Sequence, residues 1–129
     1  MAGRVLDWLF VGDKTVAKDR ALLRQLNVRY VLNVTPPRTE GGVANFFEKE
    51  GSIEYLRLPL RDLNTESVLP LLPAAVEFLR RAHVRDDGCA LVHCNEGRSR
   101  SVALVTGFLV LTRGLSSSDA LALVREVRP

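Results

Sequence analysis

Residues 89–112 read CALVHCNEGRSRSVALVTGFLVLT, an apolar run and a longer apolar run joined by a small polar loop. No other stretch limits the fold as strongly. The first run, CALVH at 89–93, shows no alternation of apolar and polar residues, so as a strand it has to be covered on both faces, the situation of an inner strand in a parallel sheet. The second, from Ser101 to Thr112, is interrupted by Thr106 and Gly107 and falls short of the roughly 18 apolar residues of a membrane span. It reads as a buried helix. The pair therefore predicts a strand, a tight loop NEGRS and a helix that packs back on the sheet.

The rest of the chain repeats that alternation. Trp8 to Val11 is a short apolar run closed by Gly12 and Asp13, and Lys18 to Leu26 carries Ala21, Leu22 and Leu26 at helical spacing. VRYVLNV (28–34) is β-branched and aromatic, as in a buried strand, and TPPRTEGG (35–42) is a loop by its proline and glycine content. A short helix is expected over Val43 to Lys49. IEYLRLPL (53–60) alternates as a strand. Ser67 to Arg85 is helical in pattern, with Ala75, Phe78, Leu79 and Ala82 on one face, but Pro70 and Pro73 delay its start. Asp86 to Gly88 form a turn. Gly114 is the expected stop of the 101–112 helix, and a last helix runs from Ser116 to Val127 with Ser117 or Ser118 as its N-cap. Strands separated by helices predict an α/β domain with a mostly parallel sheet covered on both faces. At 129 residues, 47% of them hydrophobic, residues 1–129 fit one domain with a modest core.

The charge balance is +3, with arginine far outnumbering lysine. It favours anionic partners, but the arginines are scattered and no aromatic residues interleave with them as on a nucleic-acid surface, so no nucleic-acid partner is expected. MAGRVLDWLFVG carries Asp7 inside its apolar part and lacks a small-residue cleavage site, against a secretory signal. The expectation is a soluble intracellular protein of the cytoplasm, with the nucleus also open to it. Cys89 and Cys94 would lie about 16 Å apart along a strand, too far for a disulfide. With only His83 and His93 beside them, no metal site is expected.

The loop itself carries the chemistry. At a strand-to-helix junction the unpaired N–H groups of the loop and the first helical turn face inward, and the helix dipole adds positive potential. Gly97 lets the backbone curl, and Arg100, six positions after Cys94, can hold two phosphate oxygens with its planar fork of donors. Asn95, Glu96, Gly97, Arg98, Ser99 and Arg100 thus form a phosphate cradle with the Cys94 sulfur at its floor. The same field favours the thiolate of Cys94, which is placed for in-line attack on phosphorus and formation of a phosphocysteine that water hydrolyses. Ser101 can donate a hydrogen bond to the sulfur and help it leave. His93 is expected to support the loop by hydrogen bonding. Cys89 reads as core packing.

HCNEGRSRS resembles the active-site signature, CX5R, of the cysteine-based protein tyrosine phosphatases, and specifically of their dual-specificity branch as a small atypical member. VRYVLNVT, NFFEKEGSIEYLRLPLRD and the closing REVRP resemble other stretches of that branch. The resemblance implies about five strands flanked by helices, metal-free and cofactor-free hydrolysis of phosphomonoesters, and a pocket shallow enough for phosphoserine and phosphothreonine as well as phosphotyrosine of protein substrates. The branch usually continues past the arginine-proline pair through one more helix, whereas this sequence stops at Pro129, so a catalytic domain without that helix is expected. Asp62 follows the strand ending at Leu60, opens on the same sheet edge as the cradle, and matches the family's general acid; the plain alternative is a turn aspartate. Asp86 and Asp87 lie at the wrong end of the central strand, and Glu96 has to point outward, away from bound phosphate. Arg98 lines the rim or faces solvent, and a lipid phosphatase of the superfamily also carries arginine there. Two other functions stay in view: a phosphatase of phosphoinositides or other non-protein phosphates, and a phospho-residue-binding module without turnover.

Overall fold

Five stretches of chain pair into a single sheet: β1 (Gly3–Leu6), β2 (Leu9–Gly12), β3 (Val28–Asn33), β4 (Glu54–Arg57) and β5 (Cys89–His93). The computed structural model describes residues 2–61, 68–95 and 100–127. The strand order is β1-β2-β5-β3-β4, so the apolar run CALVH is the central strand, with β2 and β3 parallel to it on either side. β4 extends the parallel set on β3, and only β1 runs antiparallel, on β2. The expected mostly parallel α/β sheet is what the chain forms.

Alternation along the strands divides the core in two. Leu9, Val11, Tyr30, Leu32, Ala90 and Val92 point to the face covered by three helices: α3 (Leu72–Arg85), α4 (Arg100–Arg113) and α5 (Ser117–Val127). Phe10, Val31 and Leu91 point to the other face, where the cover is thin: the short helices α1 (Lys14–Ala17) and α2 (Arg20–Gln25) and part of the 43–53 segment. Leu104 and Leu109 of α4 are fully buried. Both cysteines are free, and burial pushes the Cys89 thiol up from its ordinary range. Among the described residues no helix is long and apolar enough to cross a membrane.

Several elements differ from the sequence expectation. The helix read over 18–26 forms as α2, and a further short helix, α1, precedes it, because Asp13 and Asp19 each cap a separate start, accepting from the N–H groups of Val16 and Leu22. The expected helix over Val43 to Lys49 is absent; only a 3-10 turn, Glu48–Glu50, forms there. Side chains from β3 and β4 take the two backbone groups whose pairing would open that helix: Asn33 Nδ2 donates to the Val43 carbonyl at 2.8 Å, and Phe47 N donates to Tyr55 Oη at 3.1 Å. The strand expected over 53–60 is cut to Glu54–Arg57. The helix delayed by Pro70 and Pro73 starts at Leu72, after a 3-10 turn at Leu69–Leu71. Gly114 takes φ 68° just past α4, the left-handed conformation that ends a helix cheaply only at glycine. The cap of α5 is Ser116 rather than Ser117 or Ser118, its Oγ accepting from Asp119 N at 3.1 Å.

Candidate active site

In a parallel sheet the carboxyl ends of the strands open on one edge, and loops there converge on whatever binds. Register sets one row of residues side by side at that edge: Gly12 beside His93, His93 beside Asn33, and Asn33 beside Arg57. All four continue the thinly covered face. One position further along β5, Cys94 turns to the face of the three long helices, joins their core and is 3% exposed.

The first two residues of α4 follow the loop after Cys94. Ser101, in the first turn and fully buried, holds its Oγ 3.5 Å from Cys94 Sγ. Arg100, the first residue of α4, is half-buried and donates from Nη1 to the Leu60 carbonyl at 3.1 Å. That bond anchors the guanidinium to the segment leading to residue 62. From the other side, the Lys14 N–H at the start of α1 donates to the Asn95 carbonyl at 3.0 Å, which fixes the first residue of the loop.

His93 lies beneath the site with no exposed surface. Its Nδ1 is 3.3 Å from the Cys94 carbonyl, and a carbonyl only accepts, so the neutral ring carries its proton on Nδ1. Nε2 is buried with no hydrogen-bond partner among the described residues. Burial is the main reason its pKa is lowered to about 4; the Cys94 hydrogen bond opposes the shift, Arg57 adds to it and Asp13 opposes it. At neutral pH the ring is uncharged, which fits a supporting residue.

Beside it, Asn33 is fully buried and uses both ends of its amide. Nδ2 donates to the Val43 carbonyl and to Asn45 Oδ1, while Oδ1 accepts from Thr35 N and Thr35 Oγ1 at 3.1 and 2.7 Å. Arg57 Nη1 donates to the carbonyls of Thr35 and Pro36 at 3.1 and 2.7 Å. The 34–45 loop is thereby tied down next to Cys94, and Arg61, paired with Glu40 at 2.6 Å, links it to the end of the 58–61 segment.

Of the expected site residues, the structure brings His93, Cys94, Asn95, Arg100 and Ser101 together at one sheet edge. Asp62, Glu96, Gly97, Arg98 and Ser99 lie outside the described residues. Sequence reasoning missed Asn33 and Arg57. Their signal was a polar residue inside an apolar strand run, in VRYVLNV and IEYLRLPL, which is costly unless a specific partner waits for it.

Comparison with known proteins gives the family. The family model "dual specificity phosphatase, catalytic domain" matches residues 9–129. The dual specificity protein phosphatase Mpk3 of Drosophila melanogaster is 39% identical over 121 residues, 94% of this chain and 28% of that protein. Dual specificity protein phosphatase 19 of Mus musculus is 37% identical over 127 residues, 98% of this chain and 54% of that protein. The crystal structure of a single-residue variant of human DUSP28 superposes with a TM-score of 0.82 at 32% identity, over 99% of this chain and 82% of that one. The chain belongs to the dual specificity phosphatase catalytic domain family. It spans about half or less of the length of the curated relatives named here.

Proposed function

We propose that the protein is a phosphatase that hydrolyses phosphomonoesters on phosphotyrosine, phosphoserine and phosphothreonine of protein substrates, through a phosphocysteine. The observation that carries this reading is the junction of β5 and α4, where Cys94 Sγ sits 3.5 Å from Ser101 Oγ beside the anchored Arg100. The Cys94 thiolate attacks phosphorus as the bond to the leaving oxygen breaks, and a general acid protonates that oxygen. Asp62 has this role in the proposal, supported by the family likeness and by the bond from Arg100 to Leu60, which holds the preceding segment at the site. Arg100 and the loop N–H groups hold the non-bridging oxygens. Water then attacks the phosphocysteine, the P–S bond breaks, and Ser101 donates a hydrogen bond to the departing sulfur. No step needs a charge on His93.

The test is a comparison of rates on phosphotyrosine peptides, phosphothreonine peptides and phosphoinositides, with Cys94→Ser as the blank. Turnover on both peptides, its complete loss in Cys94→Ser and retained phosphopeptide binding by that variant are expected. Faster turnover of phosphoinositides than of peptides would shift the reading to a lipid phosphatase. Binding of phosphopeptides without hydrolysis of p-nitrophenyl phosphate by the unaltered protein would replace the enzyme with a recognition module. Changing Asp62→Asn should slow poor leaving groups much more than p-nitrophenol, and equal slowing on both would take the acid's role from Asp62.

A further inference from the structure

At the amino ends of β3 and β4, on the edge opposite Cys94, α2 and the 47–53 segment enclose a cavity of about 230 Å³. Its lining holds three cations, Arg20, Arg24 and Arg29, against one carboxylate, Glu50. Leu23, Val28, Phe47 and Ile53 supply an apolar lining, of which Leu23 and Val28 are buried. None of these residues takes part in the chemistry proposed above, and Cys89, at the same end of the sheet, is five residues from Cys94, about 16 Å along the strand.

The charges there are not what stability alone would select. Arg20 and Arg24 stand one helical turn apart on α2, a like-charge spacing that destabilises a helix. Glu50 pairs with Arg20, whose guanidinium also lies over the Phe47 ring with 4.8 Å from carbon to centroid. The guanidinium groups of Arg24 and Arg29 have no carboxylate or hydrogen-bond partner among the described residues. The stem of Arg29 is nevertheless held: it lies so close over Gly88 that a Cβ placed there would be 2.5 Å from Arg29 Cγ. Arg20 and Arg29 are thus positioned, and Arg24 and Arg29 are unneutralised, around a concave apolar surface. Such an arrangement lowers the ordering cost of binding an anion.

We propose that this cavity is a docking site for an acidic segment of a partner protein, with an aliphatic side chain seated on the apolar surface between Asp or Glu residues that pair with Arg24 and Arg29. A free phosphate would leave the apolar lining unused. A flat lipid surface would not reach into a concavity between a helix and a loop. A partner held there leaves the cleft at the carboxyl edge open.

The test uses the full chain and a fluorescein-labelled peptide of alternating Asp and Leu, read by fluorescence anisotropy at low salt. The expected result is saturable binding that weakens by about tenfold or more in Arg24→Glu/Arg29→Glu, as loss of charge-assisted bonds predicts. Hydrolysis of p-nitrophenyl phosphate should be the same in both proteins. A milder Arg24→Gln/Arg29→Gln pair, with circular dichroism as a check on folding, should lose part of the affinity, and an Asn-for-Asp peptide should not bind. No binding to the unaltered chain, equal binding to the charge-reversed chain, or displacement of the peptide by vanadate would overturn the proposal. Arg24- and Arg29-dependent sedimentation with phosphatidylserine vesicles in the absence of peptide binding would also overturn it, in favour of a membrane surface.

Discussion

On the face of the sheet covered by α3, α4 and α5, the apolar ladder of β5, Ala90 and Val92, ends at the carboxyl edge in a buried sulfur, Cys94. On the opposite face the ladder of Phe10, Leu91 and Val31 ends in the polar row of His93, Asn33 and Arg57. The first face is held by side-chain burial under two fourteen-residue helices and one of eleven, the second by short helices and by a hydrogen-bonded loop. The difference teaches a division of labour. The Cys94 sulfur, the reacting atom of the proposed function, hangs from the thickly packed side, where its position is over-determined, while the wall beside it is set by directional polar bonds on the side that packing leaves thin.

That division can be broken by cutting the same side chain on each face. Leu104 of α4 and Leu23 of α2 are both essentially buried, at 0% and 1% exposure. Removing a leucine side chain costs its transfer energy plus a cavity term that shrinks where the surroundings can collapse. Leu104→Ala should therefore lose about 4 kcal/mol of unfolding free energy and Leu23→Ala about 2.5 kcal/mol. Urea denaturation of the two variants measures both. Equal losses would mean that the thin face is packed as rigidly as the thick one.

The polar row gives the next largest effect, through pH. The His93 pKa is lowered to about 4 in the folded chain from the ordinary 6.5, chiefly by burial. Between those values the unfolded chain binds the proton more readily, so stability is complete above about pH 6.5 and declines as the pH falls toward 4. A depression of that size corresponds to a loss of up to about 3 kcal/mol. His93→Gln should flatten this part of the profile of unfolding midpoint against pH. An unchanged slope in the variant would assign the acid sensitivity to other groups.

The two faces also differed in how far the sequence could be read. The central strand and α4 were legible because an unbroken apolar run and a longer one follow each other, and that pattern has few other solutions. Cys94, Arg100 and Ser101 could be singled out together because the chemistry proposed for them depends on spacing along one loop. β1 was not recognised as a strand from its residues: GRVL is short, sits at the sheet edge and carries an exposed Arg4. The 43–49 helix failed for a different reason. Its local pattern is helical, but Asn33, ten residues before Val43, and Tyr55, eight residues after Phe47, claim its backbone groups, and such tertiary bonds leave no periodicity to find. The thin face is organised by those bonds, so it was the harder face to read.

The smallest expected effect tests the thick face at the sulfur itself. Ser101→Ala keeps the Cβ that packs in the first turn of α4 and removes only the hydroxyl 3.5 Å from Cys94 Sγ. If that hydroxyl steadies the sulfur as it leaves phosphorus, the loss falls on the second step. With p-nitrophenyl phosphate, the variant should release a rapid burst of about one equivalent of p-nitrophenolate and then turn over about tenfold more slowly, the weight of one hydrogen bond to a charged atom. Stopped-flow absorbance separates the two phases. Equal slowing of burst and steady state would instead show that Ser101 shapes the ground-state cradle, and the rigidity of the thick face would then serve substrate binding rather than the release of the enzyme.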